Sequence, residues 1–286
     1  MRIIVPATTA NLGPGFDSFG LALSMYLELE IVGKSTQWII EHNLENLATD
    51  ENNLIIKTAL EVCPELDPHK VKMTTDIPLA RGLGSSSSAI VAGIELANQL
   101  GRLALTKEEK LRIASKIEGH PDNVAPAILG SFVVASQLED GIYYTRHDFP
   151  KCGMIAVIPD YQLLTKVSRN VLPDRLTYEY AVEASSISNV VLSSLITGDL
   201  KQAGLLMEQD KWHEPFRNAL VPELNQVRAL KKSLNIYTAV LSGAGPTVLV
   251  LCPLEDKEKI AIILQEKLND SLVKTLEVDE LGVRML

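Results

Sequence analysis

The sequence predicts an α+β fold, on three observations. Strand-like and helix-like runs are mixed in both halves of the 286 residues, without the regular alternation of a doubly wound parallel sheet. Ser131–Gln137 and Ile142–His147 read as a hairpin turning at Glu139-Asp140-Gly141. The pattern restarts after Pro150, which places a boundary there and divides the chain into 1–150 and 151–286.

The elements follow in order. Ile3–Val5 reads as a short strand, and Phe19–Val32 alternates as a long strand or strand pair. Asn53–Val62 reads as a helix stopped by Pro64, and Val71–Thr75 as a strand. Ser85–Leu100 has helical length and small apolar residues, and Gly101 ends it. Thr106 to Glu109 forms a capping box opening a helix that runs to Glu118. In the second half, Met154–Ile158 and Gln162–Val167 read as strands. Helices are expected over Tyr178–Ile196, Leu200–Gln209 and Pro222–Leu234. Strands Ile236–Leu241 and Thr247–Cys252, helix Asp256–Lys267 and strand Val273–Val278 complete the reading.

Composition narrows the function. Hydrophobic residues are 46% and charged residues 22%, an ordinary globular balance. The net charge of -9 repels a polyanion, so a nucleic-acid partner is not expected. Cys63, Cys152 and Cys252 are scattered, with no Cys/His cluster, and read as reduced thiols rather than zinc ligands or a disulfide framework. MRIIVPATTANLG lacks a signal peptide's apolar stretch, and no apolar run is long enough to span a bilayer. A cytoplasmic chain with no membrane partner is expected.

Three glycine clusters stand out, and turn chemistry alone could account for each: Gly13-Pro-Gly15, Gly82-Leu-Gly84 and Gly243-Ala-Gly245. The first fails as a dinucleotide fingerprint, because it enters a strand rather than a helix. The second lies in PLARGLGSSSSA, a loop that opens an apolar helix with four serines. Unpaired N–H groups at a helix start attract anions, and serines there can cap the helix, bind phosphate or ligate magnesium. The Walker pattern is absent, so this is not a P-loop. Neither GxSxG nor any supporting spacing makes Ser86, His120 and Asp122 or Glu118 a hydrolase triad.

Together PATTANLGPGFDSFG, PLARGLGSSSSA and SGAGPT resemble, in that order, the three motifs of the GHMP small-molecule kinases. EGHPDNVAPAILG, TxxxR and EPFR narrow the resemblance to the branch acting on homoserine, over nearly the whole chain. The resemblance implies ATP:L-homoserine O-phosphotransferase activity on the route to threonine, with magnesium and a homodimer. It also implies a two-domain fold: an N-terminal half like ribosomal protein S5 domain 2, which binds ATP, and a ferredoxin-like C-terminal half, with the substrate site at their interface.

Residue by residue, the resemblance implies that Asp17 pairs with the substrate ammonium and that Arg169 and Arg217 fork onto its carboxylate. Asn11, His120, Thr165 and Gly243 complete the substrate shell, and Asn123 lies near the reacting hydroxyl as the catalytic residue. Pro78, Leu79, Ala80, Arg81, Gly82, Leu83, Gly84, Ser85, Ser86, Ser87 and Ser88 wrap the phosphates, Asn53 contacts the adenosine side, and Ser86 and Glu118 hold magnesium. Glu118 lies only two residues before His120, closer than in some relatives.

On their own, the residues leave alternatives open. Asp17 also suits an Asx-turn, Arg217 a surface charge, His120 a loop and Asn123 a helix cap. Thr165 and Arg169 also suit a strand end, Asn53 a helix N-cap, Glu118 a solvated helix end, and Arg81 a solvent-facing position. No aspartate stands out as a base, so in-line transfer without a strong protein base is expected. A sister kinase for mevalonate, which has no ammonium for Asp17, and a non-catalytic binding protein are the competing readings.

Overall fold

The computed structural model describes Met1–Leu286. Its first part contains β1 (Arg2–Ala10), β2 (Phe19–Lys34), β3 (Ile39–Glu41), α1 (Leu54–Val62), β4 (His69–Thr75), α2 (Ser85–Leu100), α3 (Lys107–Glu118), α4 (Val124–Leu129), β5 (Phe132–Leu138) and β6 (Gly141–His147). There follow β7 (Gly153–Pro159), α5 (Thr165–Asn170), α6 (Tyr178–Thr197), α7 (Leu200–Met207), α8 (Glu214–Arg217), α9 (Pro222–Leu230), β8 (Thr238–Leu241), β9 (Val248–Cys252), α10 (Lys257–Lys267), β10 (Ser271–Leu276) and β11 (Arg284–Met285).

A seven-stranded sheet runs β11-β1-β2-β4-β3, with β5 on β2 and β6 on β5. Only β3 joins in parallel. The length of β2 lets it pair with β5 at Phe19–Leu21 and with β4 from Leu27 onward. Pro6 lacks an N–H for the ladder, and the β1–β2 register shifts between Pro6 and Ala7. Helix α2 is the central helix. It is buried almost all round between β1, α1, α3 and α4, as its small apolar sequence requires.

The second sheet is antiparallel in the order β10-β7-β9-β8. Every residue of β7 is buried. Met154, Ala156 and Ile158 join the large core with Val191, Leu195 and Met207 of α6 and α7. Ile155 and Val157 face Leu224 and Val227 of α9 and Ile260 and Leu264 of α10. Helices on both faces explain a strand that is apolar at every position rather than alternating.

Sheet membership changes after residue 147, close to the expected boundary, but β11 returns from the far end of the chain to pair with β1. One element differs in type. The expected strand over Gln162–Val167 is instead a loop entering α5: Leu163 gives its N–H to the Ala80 carbonyl rather than to a neighbouring strand, and the Ser168 N–H closes the first helical turn on Leu164 O at 3.1 Å. Helix α4 enters the sequence reading only through Asn123 as a helix cap, and α8, β3 and β11 are absent from it: α4 and α8 are short and contain a proline, and the two strands are too short for a period to show.

Candidate functional site

Six connections converge on one polar cleft of about 240 Å³. The β1–β2 loop brings Asn11, Phe16 and Asp17; the loop before α2 brings Ala80, Gly82, Gly84 and Ser85 to Ser87. Glu118, His120, Asp122 and Asn123 come from the end of α3 and the turn to α4. Leu163, Leu164, Thr165 and Arg169 come from α5 and its approach, Arg217 from α8, and Gly243 and Ala244 from the β8–β9 turn.

The backbone is strained where it meets the cleft. Asn11, Leu12, Asp17 and Ala80 all have positive φ, between 48° and 73°. Each such residue costs about 1–2 kcal/mol, and neighbouring hydrogen bonds hold them there. Asn11 Oδ1 accepts from the Asp17 N–H at 3.1 Å, and its Nδ2 donates to the Gly243 carbonyl at 3.0 Å. Ala80 O accepts from Leu163 N at 2.9 Å, and Gly82 O from Ser242 Oγ at 2.6 Å. Gly84 is the left-handed N-cap of α2 and has no side chain to cap it. The first N–H groups of α2, at Ser85 to Ser87, therefore face the cleft without helical partners.

The charges are arranged in pairs. Arg169 forks onto Asp17, with Nη2 to Oδ1 at 2.6 Å and Nη1 to Oδ2 at 3.0 Å. Burial lowers the Arg169 pKa, but the Asp17 hydrogen bond and charge outweigh it and the net shift is upward. Each Asp17 oxygen retains a lone pair for a second cation, and the side chain is 34% exposed.

Arg217 is buried, not the surface charge its residue type suggests. Its Nε donates to Ser168 O, and its Nη1 to Gly243 O and His213 Nδ1, each at 3.1 Å. That leaves Nη2 as its donor without a protein partner. Burial, then the Arg169 charge, lowers its pKa to about 10, so it stays cationic at neutral pH. Arg169 and Arg217 lie 5.5 Å and 5.3 Å from the Phe16 ring centroid.

At the other end of the cleft, Glu118 accepts from Ser87 Oγ at 2.9 Å and Ser86 Oγ at 3.4 Å. A carboxylate beside two hydroxyls is a hard oxygen set suited to magnesium. Asn123 sits at the N-cap position of α4 but makes no cap hydrogen bond. Its Oδ1 instead accepts from Thr8 Oγ1 at 2.8 Å. His120 Nδ1 lies 2.5 Å from Asp122 Oδ1, and no serine hydroxyl bonds the ring, so no hydrolase triad forms.

Burial lowers the His120 pKa, but the hydrogen bond and charge of Asp122, with Asp17, raise it on balance. The resulting stabilisation is fully present below the unfolded value and is lost as pH rises through the folded one. Asp122→Asn therefore lowers the His120 titration midpoint. Its stability deficit against wild type is largest under acidic conditions and shrinks at alkaline pH. Histidine NMR titration and denaturant melts across pH check both.

Four residues expected around the phosphates turn their side chains elsewhere. Leu83 is in the core, and Ser88 Oγ bonds Pro6 O and Gly84 O. Pro78 and Arg81 line a separate groove. Arg81 is not solvent-facing: it donates to the Pro159, Leu79 and Asp160 carbonyls, clasping the loop to the end of β7. Thr165 begins a helix rather than ending a strand.

A second, apolar cleft of about 240 Å³ adjoins the first across Ser85 and Ser86. Leu27, Leu44, Leu54, Met73, Ile77 and Leu79 line it, with Asn53 at its edge. Asn53 is a helix cap: Oδ1 accepts from Ile55 N at 3.0 Å and Nδ2 donates to Ala48 O at 2.8 Å. Apart from Asn53, Leu79, Ser85 and Ser86, this slot escaped sequence reasoning because most of its walls come from β2, β4 and α1 and read only as core. Phe16 and His213 were also passed over, and Asp122 was weighed only as a hydrolase-triad member, although the three stand within the motifs PGFD, HEPFR and HPDN.

The GHMP kinases N terminal domain model matches residues 53–131, and the GHMP kinases C terminal model matches 191–270. The homoserine kinase of Enterococcus faecalis is 54% identical over 286 residues, covering 100% of both chains. That of Listeria monocytogenes serotype 4a is 55% identical, covering 100% of this chain and 99% of its own. The crystal structure of homoserine kinase from Cytophaga hutchinsonii superposes with a TM-score of 0.87 at 26% identity, covering 100% of this chain and 97% of that one.

Proposed function

The chain belongs to the GHMP kinase family, and within its homoserine kinase branch we propose that it transfers the γ-phosphoryl group of ATP to the side-chain hydroxyl of L-homoserine. The observation that carries this reading is the paired charge at one end of the cleft. Asp17, with spare acceptor capacity, suits an ammonium, and the partner-free Nη2 of Arg217 suits a carboxylate. A zwitterion held there directs its side chain toward Asn123 and the start of α2. Mevalonate would leave Asp17 with no cation beyond Arg169.

ATP fits across the two clefts. The apolar slot suits the adenine ring, and the free N–H groups of Ser85 to Ser87 suit the phosphates. Ser86 and Glu118, joined by Ser87, would hold magnesium, which neutralises phosphate charge when bound. The first 150 residues then supply the nucleotide site, residues 151–286 close the substrate site, and the product O-phosphohomoserine feeds threonine synthesis. A homodimer in the cytoplasm completes the proposal; no helix is long and apolar enough to cross a membrane.

The substrate hydroxyl oxygen attacks the γ-phosphorus in line, the bond to the β-phosphate oxygen breaks, and ADP leaves. The hydroxyl proton departs through the γ-phosphate or water, because each titratable group of the cleft is already engaged. Asp17 holds cations, Asp122 holds His120, Glu118 holds the serines, and the raised pKa of His120 favours the protonated form. The chain's own contribution is binding, alignment and charge stabilisation.

A coupled ADP assay across homoserine, serine, threonine and mevalonate tests the substrate, with and without magnesium. Magnesium-dependent turnover is expected with homoserine, and turnover of mevalonate instead overturns the reading. Binding of ATP and homoserine without product marks a non-catalytic protein. Asn123→Asp, with the same shape, is expected to be slower, since it adds a negative charge beside the transferred group. A steep rise in kcat with a new acidic limb in the pH profile overturns base-free transfer.

A further inference from the structure

We propose that His213 is a positioning residue: it locks the loop carrying Asp17 to the guanidinium of Arg217, so that the two charged ends of one amino acid are gripped at a fixed separation. The proposal rests on the homoserine reading above and adds a residue to it.

The His213 side chain is fully buried and bridges the β1–β2 loop and the start of α8, which lie 200 residues apart in sequence. Its Nε2 is 3.0 Å from the carbonyl of Gly13, four residues before Asp17, and 3.5 Å from Asp210 Oδ2. A carbonyl only accepts, so Nε2 carries the hydrogen. Its Nδ1 is 3.1 Å from Arg217 Nη1, a group that only donates, so Nδ1 is bare. Both neighbours thus select the same neutral tautomer. Burial, opposed by the Asp210 charge, lowers the His213 pKa, which agrees with a neutral ring.

The ring cannot drift. Asp210 Oδ2 accepts from the His213 and Glu214 backbone N–H groups at 3.0 Å and 2.8 Å, fixing the chain on either side. The imidazole stacks on Phe16 with centroids 5.3 Å apart and planes at 24°. His213 is the N-cap of α8 and Arg217 lies four residues on, its N–H bonding the His213 carbonyl at 3.1 Å, so the single turn of α8 ties the two residues together. With Nε on Ser168 O and Nη1 held by His213 and Gly243 O, only Nη2 of Arg217 remains for a ligand. Without the imidazole acceptor, Nη1 loses a partner that fixes the plane of the fork.

The test compares His213→Gln, His213→Asn and the double variant H213Q/R217K with wild type and R217K, by steady-state kinetics. Glutamine places its amide near the former Nε2 and keeps the loop tether, but removes the acceptor for Arg217. The expected result is a fall in kcat/KM for homoserine of about tenfold, the scale of one broken buried hydrogen bond to a charge, with KM for MgATP changed by less than about twofold. Asparagine, whose oxygen reaches the former Nδ1, recovers most of that loss. Added to R217K, H213Q costs less than about twofold more, because its partner is already altered. Equal losses in both backgrounds, or equal losses for both substrates, overturn the positioning role. Independently of activity, ¹⁵N NMR of the wild-type protein at pH 7 should show His213 as the neutral Nε2–H tautomer. An Nδ1–H tautomer or an imidazolium overturns the proposal even if homoserine is a substrate. If homoserine is not turned over, the substrate reading fails while the tautomer still judges the bridge.

Discussion

Arg217→Lys lowers kcat/KM for homoserine by roughly a thousandfold, about 4 kcal/mol at 1.36 kcal/mol per decade. Lysine keeps the charge, so the loss isolates geometry. The guanidinium holds three inward acceptors and still offers Nη2 to the cleft, whereas an ammonium at the end of a flexible stem cannot do both. The Ser168 and Gly243 carbonyls then lose a buried donor, at about 1–3 kcal/mol for each group left unpaired. The expected signature is a defect confined to the amino-acid substrate. KM for MgATP should hold within about twofold, as the nucleotide groups lie across the cleft. An amino alcohol lacking the carboxylate should react poorly and equally with both proteins. A matching loss with that compound, or a matching rise in KM for MgATP, means that Arg217 supports the fold rather than the carboxylate.

Gly84→Ala lowers kcat by about a hundredfold or more, equivalent to about 3 kcal/mol. The cause is a clash at the start of α2. A Cβ on Gly84 would lie 2.1 Å from Thr8 Oγ1 and 3.2 Å from Asn123 Oδ1, at a φ of 69°. Thr8 must move, and its 2.8 Å hydrogen bond to Asn123 breaks. The left-handed conformation itself adds about 1–2 kcal/mol against alanine, so thermal melting should fall by about 5 °C. Gly119→Ala supplies the control: its φ is 91° but nothing lies within 4 Å of the added atom. It should melt lower and keep nearly full kcat. Equal kinetic effects at the two positions remove the case for close packing at the helix start.

The local features of this protein are legible in the sequence because their causes are local. The Thr106–Glu109 capping box opens α3 where its residue types require it, with both reciprocal hydrogen bonds present. The apolar run Ser85–Leu100 is a buried helix ended at Gly101, since small residues permit close packing on every side. Alternation over Phe19–Val32 yields a long strand facing a core. The Gln162–Val167 segment reads as a strand from its own residues, yet Leu163 N–H bonds the Ala80 carbonyl and Ser168 Oγ the Ala244 carbonyl, partners far away in sequence, and its end winds into α5.

Pairing across long separations is what the chain order cannot display. Asp17 meets Arg169 across 152 residues, Thr8 meets Asn123 across 115, and His213 reaches Gly13 across 200. Before folding, Asp17 is as suited to a turn as to a salt bridge, and Arg217 as suited to water as to a core. Residue types and spacings determine turns, caps and periodic faces, because those depend on neighbours within a few positions. The burial of Arg217, the turning of Arg81 out of the polar cleft toward the end of β7 and the meeting of the two clefts at Ser85 and Ser86 depend on which elements pack together. Burial and hydrogen-bond partners are properties of that packing, and they convert scattered polar residues into a site with opposite charges at one end and free helix N–H groups at the other.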